Sequence, residues 1–158
     1  MKPFNFILAA ICFWQHTLLG ATQSLFSTDP NATFSQAKAQ NKPIIITFNA
    51  IWCPPCNQLK ETVYESRAFL EKANQFKLLT LDVDRSDSWN LKNRYRVGGY
   101  PTVVFTTAKG KEIFRIVGSR TPKEFVRIMD LVLASKDSDL SKSCESKNAQ
   151  DLWRCAVV

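Results

Sequence analysis

Five consecutive residues, Trp52-Cys53-Pro54-Pro55-Cys56, carry the chemistry most readily read from this chain. Two cysteines separated by two residues can bind a metal, close a structural disulfide or form a redox centre. Their surroundings choose among these. The apolar run Ile44-Ile45-Ile46-Thr47-Phe48 precedes the pair, and a segment with helical spacing follows it. A buried strand running into a helix sets the first cysteine at the helix N-terminus, where unpaired N–H groups and the dipole favour a thiolate. That position is expected to expose Cys53, with Cys56 one turn further on and close enough to form a disulfide with it. Thiol–disulfide exchange needs an accessible thiolate and a second thiol that releases the mixed disulfide. A static staple gains little here, because so short a loop has little closure entropy to lose. The pair reads as a redox dithiol that carries electrons on its own sulfurs, without a cofactor.

The rest of the composition sets the context for that dithiol. The chain has 158 residues, 45% of them hydrophobic, enough for one globular domain with a core. Lys2 and the apolar stretch from Phe4 to Leu19 read as a signal peptide over residues 1–22, with Gly20-Ala21-Thr22 near the cleavage point. An uncleaved membrane anchor is the alternative. Cleavage leaves Cys53, Cys56, Cys144 and Cys155, an even number in a disulfide-permissive compartment, and removes Cys12 and His16. Because His16 is the sole histidine, the mature chain would have no imidazole. That excludes Cys/His zinc sites, histidine-bound copper and Cys–His protease chemistry. Four thiolates gathered around zinc would tend to oxidise in such a compartment, so no metal is expected. The net charge is +7, or +6 without Lys2. Its basic residues are scattered, Arg94-Tyr95-Arg96 being the tightest cluster, which reads as solvated surface and not as a nucleic-acid site.

The elements that must position the dithiol follow from spacing. Residues 23–32 read as an extended arm, and Thr33 as the cap of a helix running to about Asn41, stopped by Lys42-Pro43. Ile44 to Phe48 is a central strand buried on both faces. A helix from Cys53 to about Tyr64 turns Leu59 and Val63 inward, and a second from Ser66 to Ala73 carries Phe69 and Leu70. Phe76 to Val83 is a strand. Ser88 to Tyr95 reads as a helix with Trp89 packing at its start. Val97-Gly98-Gly99-Tyr100-Pro101 is a turn into the strand Thr102 to Thr107, and Lys109-Gly110 connects to the strand Glu112 to Val117. A last amphipathic helix, Thr121 to Ala134, presents Phe125, Ile128, Met129 and Val132. Together these predict an α/β domain over 33–135, a central mixed sheet flanked by helices on both faces. Residues 136–158 form a polar tail.

The WCPPC at a strand–helix junction, the Gly-Tyr-Pro-Thr turn and the closing hairpin plus helix resemble the thioredoxin superfamily over residues 33–134. The lead-in from Phe34 to Phe48 is most similar to the periplasmic C-terminal domain of DsbD-type thiol:disulfide interchange proteins and its stand-alone relatives. The separation of 48 residues from Cys53 to Pro101 leaves no room for the helical insertion of DsbA-type oxidants. The resemblance implies a thioredoxin-like fold, Cys53 as the attacking thiol and Cys56 as the resolving one. It implies that Pro101 is a cis-proline facing the dithiol and that Tyr100 offers backbone groups to an extended substrate. Trp52 either covers the active sulfur or belongs to the core. Two departures concern the proton of Cys56. Thr47 stands where relatives commonly carry a buried Asp, and Lys60 stands where DsbD-type domains place a Glu. No obvious buried carboxylate is then available to Cys56.

Pro54 and Pro55 lack N–H groups, so Cys53 loses two potential donors to its thiolate, which favours a more reducing couple. Both prolines also suit the first helical turn. For Cys144 and Cys155 a local structural disulfide stapling the tail is the leading reading, ahead of a second redox pair or free thiols. The expected protein is a monomeric, periplasmic or secreted thiol–disulfide oxidoreductase acting as a reductant. Its partners would be exported proteins with disulfides and a membrane or soluble electron donor. The alternatives are an oxidase or isomerase, or a non-catalytic binding module on the same fold. The terminal Cys155-Ala156-Val157-Val158 has no KDEL-like signal, which weighs against residence in the endoplasmic reticulum.

Overall fold

Ile44, Ile45, Ile46 and Phe48 are fully buried, and their alternation along one strand divides the interior in two. A computed structural model describes residues 24–135. The expected signal segment and the tail with Cys144 and Cys155 lie outside the described residues. The central strand β1 (Ile44–Asn49) pairs in parallel with β2 (Lys77–Asp82) and antiparallel with β3 (Thr102–Thr106), which pairs antiparallel with β4 (Glu112–Val117). The sheet order is β2-β1-β3-β4. Helices α1 (Pro30–Gln40), α2 (Pro54–Leu59), α3 (Arg67–Ala73), α4 (Trp89–Arg94) and α5 (Pro122–Ala134) complete the fold. Among the described residues no helix is long and apolar enough to cross a membrane.

One face of the sheet buries Ile45, Val103 and Phe105 against Leu59, Phe69, Phe125, Ile128 and Met129. The other buries Ile44, Ile46, Phe48 and Val104 against Ala37, Tyr95 and Val97, and this cluster includes both Cys53 and Cys56. The mixed sheet with helices on both faces is therefore present. Each large apolar side chain removed from water contributes roughly 1.5–3 kcal/mol before the entropy of ordering it is set against it.

Several local expectations are corrected. Helix α1 begins at Pro30, not at Thr33. Asp29 is the cap, its carboxylate accepting from Ala32 N–H at 3.1 Å, and Pro30 occupies the first turn, where a missing N–H is harmless. Thr33 is buried one turn inside, donating its hydroxyl to Asp29 O at 2.7 Å. The arm is extended before Pro30 and is paired with the sheet. Ser27 forms a parallel bridge to Leu79, and the Phe26 ring lies 4.7 Å from that of Tyr64. Leu70 and Trp89 are exposed, since α3 and α4 are short and turn Phe69 and Leu91 inward instead. The helix after the cysteines ends in a π-helical turn, Lys60–Tyr64, closed by Glu65 N–H on Lys60 O at 3.2 Å. Gly110, at φ 77°, packs so closely that an added Cβ would lie 2.8 Å from Phe34 Cε1, and its carbonyl accepts from Tyr95 Oη at 3.0 Å.

Candidate functional site

The strand-to-helix junction explains the position of the sulfurs. After β1 the chain turns through Ala50, whose carbonyl accepts from Cys53 N–H at 3.2 Å. Cys53 is the cap of α2, with Pro54 and Pro55 as its first helical residues. The carbonyl of Cys53 accepts from Cys56 N–H at 3.0 Å and Asn57 N–H at 3.2 Å, and its Sγ also accepts from Cys56 N–H, at 3.3 Å. Because both prolines lack an N–H, Cys56 supplies the one donor that reaches Cys53 Sγ among the described residues. Cys53 and Cys56 are joined as a disulfide. Cys53 is 3% exposed and Cys56 7%, so the expected exposure of Cys53 is corrected: both residues pack in the apolar cluster on one face of the sheet. What separates the two cysteines is the cap position, not access read from burial.

Trp52 lies outside the core at 61% exposure, which removes the core reading for it. Its Nε1–H donates to Asp84 Oδ2 at 2.6 Å, and its ring meets that of Tyr100 edge-on at 6.0 Å between centroids. Lys92 Nζ sits 5.4 Å from the centroid of the Tyr100 ring. The Tyr100–Pro101 peptide bond is cis. Pro101 is buried, its carbonyl accepting from Gly118 N–H at 2.8 Å, and Thr102 Oγ1 donates to Gly99 O at 2.7 Å to hold the turn. The loop after β4 returns to the dithiol, where Ser119 Oγ donates to Pro55 O at 3.2 Å. Ile51, Trp52 and Val117 leave apolar surface exposed at 86%, 61% and 56%.

Behind Cys56 opens a cleft of about 490 Å³, lined among others by Thr47, Asn49, Lys60, Tyr64, Asp82 and Pro101. Thr47 Oγ1 and Tyr64 Oη share a buried hydrogen bond of 2.7 Å. Burial pushes the Tyr64 phenol well above the ordinary tyrosine range, and the Thr47 bond only partly offsets this, so the phenol stays neutral and able to donate. Asn49 Nδ2 donates to Thr80 Oγ1 at 2.7 Å across the strand ends. The buried polar side chains among the described residues are threonines and one serine; no carboxylate is with them. No group of three or more His, Cys, Asp or Glu side chains among the described residues is placed to hold a metal. Sequence reading missed Tyr64 as part of this site. Its only signal is a polar-tipped aromatic on an inward helix face, which ordinarily means core.

A disulfide at the start of a helix, directly after the central strand of a mixed sheet and beside a buried proline, defines the class of dithiol redox folds. The chain belongs to the thioredoxin-like domain family, whose profile matches residues 30–133. It is 29% identical over 124 residues to the thiol:disulfide interchange protein DsbD of Campylobacter jejuni, covering 75% of this chain and 20% of that protein. It is 34% identical over 94 residues to thioredoxin H7 of Arabidopsis thaliana, covering 60% of this chain and 67% of that one. The fold superposes on a thioredoxin from Thermus thermophilus with a TM-score of 0.65 at 23% identity, covering 80% of this chain and 98% of that one. The chain thus matches about a fifth of the length of its DsbD relative and most of the length of single-domain thioredoxins.

Proposed function

We propose that this protein is an exported thiol–disulfide oxidoreductase that reduces disulfides of other exported proteins through Cys53 and Cys56. The observation that carries the reading is the disulfide between these residues at the start of α2, with the Cys56 N–H directed at Cys53 Sγ. In the reduced form, the Cys53 thiolate attacks one sulfur of a substrate disulfide. That S–S bond breaks, and the other substrate sulfur leaves with the electron pair and takes up a proton. Cys56 then attacks Cys53 Sγ, closing the intramolecular disulfide and releasing the second substrate thiol. Two protein thiols are oxidised and one substrate disulfide is reduced, so a membrane or soluble electron donor must restore the dithiol.

The Tyr100–Pro101 segment offers backbone groups to an extended substrate, beside the apolar surface of Ile51, Trp52 and Val117. Pro54 and Pro55 support the reducing direction, since they deny Cys53 two thiolate donors. Export to the periplasm or beyond rests on the N-terminal segment and the even set of remaining cysteines, with Cys144 and Cys155 stapling the tail. The protein acts as a monomer without nucleic acid.

Catalysed insulin reduction, together with the potential of Cys53–Cys56 against glutathione, tests the reading. A reductant should catalyse the reduction and have a potential more negative than about −250 mV, near thioredoxin's range. A potential near that of protein disulfide isomerase, about −180 mV, would instead make it an oxidase or isomerase. Absence of catalysis would leave a binding module.

A further inference from the structure

The cleft behind Cys56 has an unusual charge pattern for a thiol that must become a nucleophile. Lys60 lies four residues after Cys56 on a continuous helical run, its N–H bonded to Cys56 O, so the two side chains share a face roughly 5–6 Å apart at Cβ. Both line the same cleft. Lys60 is its one cation, and no hydrogen bond or ion pair occupies its ammonium among the described residues. Two carboxylates also reach the cleft, Glu65 and Asp82. Glu65 is nine residues beyond Cys56, about 13 Å along a helix axis. Asp82 Oδ1 accepts from Asp84 N–H at 3.1 Å within its own turn. On the opposite side Cys56 packs with the cluster that contains Tyr95, whose hydroxyl is used on Gly110 O.

The hydroxyl pair adds a second observation. Thr47 and Tyr64 carry two hydroxyl protons, and the 2.7 Å bond between them uses one. The other has no acceptor among the described residues, although Thr47 is 2% exposed and Tyr64 9%, and both line the cleft. A buried O–H without a partner, in a cleft that Cys56 also lines, is a donor waiting for an anion or a water.

We infer that Cys56 is made nucleophilic by stabilising its thiolate, through the Lys60 ammonium and the spare hydroxyl proton of the Thr47–Tyr64 pair, and not by proton transfer to a carboxylate. The inference deepens the proposed function and rests on it. The Cys56 proton leaves to water in the cleft before attack. The Cys56 sulfur then forms the bond to Cys53 Sγ, and the pair of the broken Cys53–substrate bond leaves on the substrate sulfur. Lys60 and Tyr64 act through Cys56 and are positioning residues.

Reduced protein is mixed in stopped flow with one equivalent of a chromophoric aromatic disulfide. The first thiol released reports attack by the protein, and the second, concentration-independent release reports resolution by Cys56. K60Q should move the midpoint of the second-phase rate–pH profile up by roughly half to one unit and leave the first phase in place. At neutral pH that is roughly two- to threefold slower, because a higher-pKa sulfur regains part of the loss in nucleophilicity. T47V/Y64F, which removes both hydroxyls, should shift it in the same direction, and K60R should keep the original profile. A second-phase profile unmoved by K60Q overturns the inference, as does loss of the second phase in D82N or Glu65→Gln, which would reveal a carboxylate base. A wild-type protein without a second phase, indistinguishable from Cys56→Ser, would instead refute the underlying redox reading.

Discussion

Only one of the two sulfurs lies where a helix can hold a negative charge. Cys53 caps α2 and receives the Cys56 N–H, whereas Cys56 lies inside the first turn and lines the cleft. Since both residues are buried, their difference in role rests on the cap. Cys56→Ser should therefore accumulate mixed disulfides with substrate proteins through Cys53, visible on non-reducing gels and by mass spectrometry, while Cys53→Ser should trap almost none. Equal trapping by the two variants would remove the assignment. The prolines belong to the same scale. Pro54→His restores a backbone donor and adds a side chain that can carry charge beside Cys53, both favouring the dithiol form. The couple should become more oxidising by tens of millivolts, on the order of 1 kcal/mol, measured by equilibration with glutathione. A more negative potential would refute the role given to the missing N–H groups.

Elements differ in how strongly local sequence specifies them, and α5 is the strongest case. It opens on a reciprocal box: Thr121 Oγ1 accepts from Glu124 N–H at 3.3 Å, and Glu124 Oε2 accepts from Thr121 N–H at 2.9 Å. Those bonds, first the Thr121 backbone N–H and then its hydroxyl, hold the Glu124 carboxyl below the ordinary carboxylate range. A carboxyl lowered on folding stabilises the fold above its unfolded-state value, and that contribution is lost as pH falls through its folded value. Thr121→Ala should lower stability by about 1 kcal/mol near neutral pH in urea titrations. The gap from wild type should narrow as pH falls through the lowered folded-state value of Glu124, because protonation of the carboxyl removes half the box. The inward set Phe125, Ile128, Met129 and Val132 was legible because one helix face repeats at 3.6 residues, and β1 because an unbroken apolar run suits a strand covered twice. The dithiol itself was legible from its place at their junction. The cap at Asp29 had a signature too, an Asp followed by Pro, which competed with the Thr33 signal four residues later. The π-helical turn had none, because one inserted residue leaves apolar spacing almost unchanged over so short a run. The Thr47–Tyr64 bond and the exposure of Trp52, held by Asp84, depend on partners 17 and 32 residues away.

At the scale of the whole molecule, charge contributes solubility more than cohesion. The net charge is +7, and the ion pairs Arg67–Glu71, Lys72–Asp130, Arg85–Asp87 and Glu112–Arg115 lie at or near the surface, where each is worth little. The two apolar layers on either side of β1 hold the domain together, and Cys53 and Cys56 belong to one of them. The tail should then be separable from the catalyst. Replacing Cys144 and Cys155 together by Ser should leave the potential and activity of Cys53–Cys56 unchanged and lower stability by ~2–3 kcal/mol. A cross-link between the tail and Cys53 or Cys56 in the partly reduced protein, with slower substrate reduction in the double variant, would make the tail a relay. The arm behaves differently. Ser27 N–H donates to Leu78 O and Ser27 O accepts from Thr80 N–H, each at 2.9 Å, along the open side of β2. Those few bonds occupy part of the row of N–H and C=O groups that an edge strand otherwise offers to any passing chain. Phe26 fixes the arm in place by packing on Tyr64 and Phe69. The arm therefore bears on self-association: a variant shortened up to residue 23 should keep this guard, whereas one shortened through Ser27 should bare β2 and invite edge-to-edge polymerisation of a domain whose dithiol is intact.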